Sequence, residues 1–104
     1  MTTYAQLFQE NHDTLALYTL ALTRAHGTKH PEVFQVRDLF QAISDTDLHN
    51  QSYLNQLWKD MDRITKAYHV PQDTCPTYEK TYDILSQLSQ AFFHDQEHAQ
   101  ELSS

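Results

Sequence analysis

Turn-forming residues are almost absent from this chain. One glycine and three prolines punctuate 104 residues. A chain that can reverse direction so rarely is built of a few long elements, not many short strands. The spacing of its apolar residues says which kind. From Tyr4, Leu7, Phe8, Leu15, Tyr18, Leu22 and Ala25 onward, they recur at three and four residues, which at about 100° per residue lines one face of a helix.

Four such segments follow one another. The first is predicted over Tyr4 to His26, with Thr3 and Gln6 spaced as a capping box. Gly27, the only glycine, stands where a left-handed helix cap belongs. The second is predicted to begin at Pro31, since proline suits a first turn, and carries Val33, Val36, Phe40 and Ile43 on one stripe. Ser44 to Asp47 reads as a turn holding the next N-cap. The third is expected over Asp47 to Tyr68, burying Leu54, Leu57, Trp58, Met61, Ile64 and Tyr68, and ending at His69-Val70-Pro71. The fourth starts near Pro76 and aligns Tyr78, Leu85, Leu88, Phe92 and Ala99. Helical stripes of this kind are core. The expected fold is one all-α domain spanning residues 1–104, an antiparallel up-down four-helix bundle.

Charge narrows the partners. Acidic residues number 14 and basic ones 7, a net charge of −7, where nucleic acids and anionic membrane surfaces call for a basic patch. The most apolar stretch, Leu15 to Ala25, is too short to span a bilayer and carries Arg24. The first residues lack the basic start and apolar run of a signal peptide. Cys75, the single cysteine, has no internal disulfide partner, which suits a reducing cytoplasm.

There is no glycine-rich phosphate loop, paired-cysteine zinc pattern or nucleophile elbow. Cys75 beside Pro76 at a helix start invites a thiol reading, set against a plain structural residue. His94 and His98 are one helical turn apart, with Asp95, Glu97 and Glu101 around them, a spacing at which two histidines share a metal ion. The stripe of Leu85, Leu88 and Phe92 turns both histidines away from the core, however, and points Asp95 and Ala99 inward. His12 falls at the edge of the first stripe and His49 opposite the third.

Two stretches carry a family resemblance. His26-Gly27-Thr28-Lys29-His30-Pro31-Glu32-Val33 is similar to the "HG..HPEL" stretch of the RIC (repair of iron centres, ScdA-like) family. Ile64-Thr65, Tyr68, Val70 to Cys75, Tyr78 and Tyr82 resemble that family's "LT..Y..P..AC.TY...Y..L". Together the two blocks cover roughly residues 4–43 and 54–100. The resemblance implies a hemerythrin-like bundle holding a di-iron site of histidines and carboxylates. It also implies a role in restoring iron–sulfur clusters damaged by nitric oxide or peroxide, hence in a stress response.

Carried over residue by residue, most of the ligands are missing. The family's histidine on the first helix falls on Ala5, which the resemblance thereby places inward. Its "H...E" pair on the second helix has no counterpart, because the turn follows directly after Ile43. Its "EHD" falls near Gln51, or on His49 with a small gap, and its final "H...EN" falls on Asp95 and Ala99. The expectation is a shortened bundle without a metal site, non-enzymatic, binding itself as a homodimer or another protein. Leu17 and Leu20 lie off the main stripe of the first helix as a possible contact patch. The alternative is an iron-binding protein with a site rebuilt from His12, His49, His94 and His98.

Overall fold

The computed structural model describes the backbone of residues 3–103 and the side chains of residues 3–96. Four helices account for nearly all of it: α1 (Tyr4–His26), α2 (Glu32–Asp45), α3 (Gln51–Ile64) and α4 (Pro76–Ser103). No strand occurs among the described residues. α1 packs against both α2 and α4, and α2 against α3. The radius of gyration is 13.9 Å. Among the described residues no helix is long and apolar enough to cross a membrane.

Local chemistry explains the helix ends. At the start of α1 the Thr3 side chain accepts a hydrogen bond from the Gln6 backbone N–H, and the Gln6 side chain accepts one from the Thr3 N–H. This is the expected capping box, and it satisfies two donors the helix itself leaves unpaired. α2 begins one residue after Pro31, which occupies the N-cap position.

α3 is shorter than the sequence predicts at both ends. Asn50, not a residue of the 44–47 turn, caps it by accepting from the Tyr53 N–H. Its far end closes at Ile64, where Ala67 N–H bonds to Asp62 O and Lys66 N–H to Arg63 O. These are the paired bonds of a Schellman ending, with Lys66 in the place glycine usually takes. Lys66, Ala67 and Tyr68 all have positive φ, at 52°, 59° and 63°. Three such L-residues in succession are unfavourable by themselves. The Thr65 hydroxyl supports the turn by donating to Met61 O and accepting from Tyr68 N–H.

Gly27 also departs from expectation. Its φ of −57° is right-handed, so it is no left-handed cap. Space explains the glycine instead. A Cβ there would lie 2.6 Å from the Phe34 ring and 2.5 Å from Thr23 O.

The core follows the stripes. Leu15 and Leu22 of α1, Val33, Val36, Phe40 and Ile43 of α2, Leu54, Leu57, Trp58 and Met61 of α3, and Tyr78, Leu85, Leu88 and Phe92 of α4 are all buried. Tyr82 joins them, while Ile64, the last residue of α3, and Tyr68 beyond it are only partly buried. Trp58 is fully enclosed and donates through Nε1 to Tyr4 Oη at 3.0 Å. The Tyr4 ring stands edge-on to both Trp58 and Phe92, so one aromatic contact set joins α1, α3 and α4.

Candidate functional site

Among the described residues, the histidines proposed for metal binding form no metal-holding group. His12 is partly exposed between the rings of Phe8 and Phe40, with Nδ1 3.1 Å from Asp13 Oδ1. His49 is fully exposed in the turn before α3, with Nδ1 3.0 Å from Asp47 Oδ1. That contact and the His49 backbone N–H hold the Asp47 carboxyl below its ordinary range. His94 is exposed on α4, as its stripe position requires, and the side chains of His98 and Ala99 lie outside the described residues. Among the described residues no three His, Cys, Asp or Glu side chains are grouped to hold a metal ion.

The positions matched to family ligands have other occupations. Ala5 is exposed, and its neighbour Tyr4 turns inward in its place, which corrects the inward placement expected for Ala5. Gln51 is exposed at the start of α3 and donates to Leu48 O. Asp95 does point inward, and its Oδ2 accepts the backbone N–H of Tyr4 at 2.9 Å. A carboxylate against a helix N-terminus satisfies an unpaired donor and opposes the helix dipole. Beside it opens a cavity of about 590 Å³, lined by Tyr4, Ala5, Phe8, His12, Ile43 and Leu48.

The chemistry-bearing side chains gather elsewhere. His26 in the last turn of α1 places Nε2 3.1 Å from Sγ of Cys75, just before α4. His30, in the α1–α2 turn, is fixed to α1 by its backbone N–H bond to His26 O at 2.8 Å. Its ring bridges two carboxylates, with Nε2 3.0 Å from Asp73 Oδ1 and Nδ1 3.4 Å from Glu32 Oε1. Glu32 in turn accepts from Tyr78 Oη at 3.4 Å, and Tyr78 Oη lies 3.2 Å from Tyr82 Oη. Tyr78 and Tyr82 stack because they are one helical turn apart on α4. The Tyr78 ring also stands edge-on to His26 and His30.

The electrostatics of this cluster follow from burial and from its carboxylates. Burial pushes the Tyr78 hydroxyl well up, and the Tyr82 hydrogen bond and the Glu32 charge push the same way. Burial also raises Tyr82, with Glu32 adding to the rise and the Tyr78 hydrogen bond opposing it. The His30 hydrogen bond holds Asp73 below its ordinary range, aided by the nearby charges of His30 and Lys29. A chain of polar contacts therefore runs from Asp73 through His30 and Glu32 to Tyr78 and Tyr82, hydrogen-bonded except at the 3.4 Å His30–Glu32 ion pair. A thiol–imidazole pair sits beside it. Next to His30 and Glu32 is a cavity of about 360 Å³, also lined by Lys66, His69 and Tyr82.

Of this cluster, sequence reasoning singled out Cys75 but missed its pairing with His26 and the network of His30, Glu32, Asp73, Tyr78 and Tyr82. The signal was present. Every one of these residues lies within the two stretches that carry the family resemblance, 49 residues apart at His26 and Cys75. Set against known proteins, the chain matches no family model, no curated protein and no solved structure.

Proposed function

We propose that this chain is a shortened, antiparallel up-down bundle of hemerythrin type, related to the repair-of-iron-centres proteins, that has exchanged its metal site for structural contacts. It works in the cytoplasm as a non-enzymatic interaction protein. One observation carries the reading. Asp95, matched to the final ligand histidine of the family, spends its carboxylate on the Tyr4 N–H, and so ties α4 to the start of α1.

Two further observations support it. The two stretches of resemblance meet in space, through His26 with Cys75 and His30 with Asp73. The cavity beside Ala5 and His12 lies where the shortened second helix leaves the bundle less filled, and Leu17 is 65% exposed on α1. These surfaces fit a second helical surface, from another copy or a partner protein.

The deciding experiment is metal analysis of protein purified without a histidine tag or chelators. Iron and zinc well below one per chain are expected. About two irons per chain, the content of a bundle di-iron site, would restore the iron-protein alternative and direct attention to His12, His49, His94 and His98. Light scattering across a range of concentrations tests self-association, and a strictly monomeric result removes the homodimer.

A further inference from the structure

The contact between His26 and Cys75 joins a nucleophile to a base from a different helix. Nε2 and Sγ are 3.1 Å apart across 49 residues of sequence, so no local turn accounts for the pairing. The Cys75 carbonyl accepts the Glu79 N–H, which makes Cys75 the residue capping α4 and sets its thiol at the positive end of that helix. His26 lies in the last turn of α1, at the negative end of its own helix.

The pair thus lies where the last turn of α1 meets the first of α4. The edge of the Tyr78 ring packs on the His26 imidazole at 5.2 Å between centroids, and the His30 ring lies 6.4 Å away. His30 is itself bonded to Asp73, two residues before the cysteine. A nucleophile with a base within reach is the core of an activated-thiol arrangement. Cys75 is partly exposed, so a reagent can approach it.

We propose that Cys75 and His26 form a thiol–disulfide exchange site that takes small aliphatic disulfides and stops at the mixed disulfide. The Cys75 proton passes to His26 Nε2 as Sγ attacks one sulfur of the disulfide. A new S–S bond forms to Cys75, the old one breaks, and the departing thiolate takes the proton from Nε2. Cys75 is oxidised, half of the small disulfide is reduced to a thiol, and no other co-reactant is consumed. The chain has one cysteine, so no internal thiol resolves the adduct. It persists until an external thiol attacks it. This inference does not depend on the relation to iron-centre repair.

The test is reaction of the native protein with hydroxyethyl disulfide at neutral pH, followed by intact mass. One adduct per chain is expected, formed about tenfold or more faster than in the same chain unfolded in urea. His26→Gln, checked for native helicity by circular dichroism, is expected to slow the reaction about tenfold or more, a threshold set below the roughly hundredfold and upward that positioned bases contribute. That gap should close in alkali, where any thiol ionises. If the variant fails to fold, the ratio of native to urea-unfolded rates decides, and a ratio of about tenfold or more supports the site. Native protein reacting no faster than unfolded chain overturns the proposal, as does a folded His26→Gln variant with an unchanged rate across the pH range.

Discussion

The backbone N–H of Tyr4 donates to Asp95 Oδ2 at 2.9 Å across 91 residues of sequence. One side chain on α4 thus caps the first turn of α1, and the same Tyr4 accepts the indole N–H of Trp58 through its hydroxyl. Replacing Asp95 by alanine is expected to lower unfolding stability by about 1–2 kcal/mol, the worth of a charge-assisted bond at a helix N-terminus. Urea denaturation measures it. Asp95→His, which places there the residue type of the resembled family, should lose similar stability and gain no iron, because Ala5 is exposed and supplies no second ligand. Stoichiometric iron in that variant would contradict the structural role given to Asp95.

Gly27→Ala separates two explanations for the one glycine. With φ at −57°, the penalty is a collision with the Phe34 ring and with Thr23 O, not backbone strain. The expected loss is about 1–3 kcal/mol, as for other overpacked sites. Phe34 is half-exposed, so trimming it to alanine costs little in itself and removes one of the two collisions. In a double-mutant cycle, Phe34→Ala should recover part of the Gly27→Ala loss. A left-handed glycine would show no such coupling.

The turn after α3 offers a stabilising change. Ala67 is exposed with φ at 59°, where a Cβ is unfavourable and glycine is not. Ala67→Gly should raise stability by up to about 1 kcal/mol, visible as a higher urea midpoint with an unchanged slope. A loss of stability would mean that the turn is right-handed in solution.

Alkali is expected to unfold the protein through its tyrosines. Burial pushes Tyr4 up to about 12, with the Trp58 hydrogen bond partly opposing it. Burial likewise pushes Tyr68 up to about 12; its hydroxyl is enclosed without a hydrogen-bond partner, and Ser89 lies near enough to soften the shift but outside bonding geometry. Tyr78 and Tyr82 are raised as well. These groups ionise at a higher pH folded than unfolded. Their contribution to stability is therefore whole below the unfolded value of 10.0 and is lost as pH climbs from there towards about 12. Tyrosinate absorbance and helical circular dichroism, titrated together, should change in step above pH 10. Complete tyrosine ionisation near 10 with the helices intact would contradict the burial.

The sequence by itself determined the four helices and most of the core. α1 runs from Tyr4 to His26 as its cap and stripe require, and Val33, Val36, Phe40 and Ile43 are buried as their spacing requires. Such features depend on residues within a turn or so of one another, and the chain states them directly. The inward turn of Asp95 and the outward turn of His94 were legible for the same reason. Only the tertiary structure decided what lies across the helices. Ala5, matched to a family ligand, is exposed. Phe34 packs close enough to Gly27 to leave no room for a Cβ. The non-glycine turn at Lys66 to Tyr68 shortens α3, because Thr65 supplies side-chain bonds that no propensity foretells. His26 meets Cys75 because the last turn of α1 and the first of α4 lie together. Such a pairing depends on how the helices align end to end and rotate on one another, and periodicity along a single helix carries no information about either.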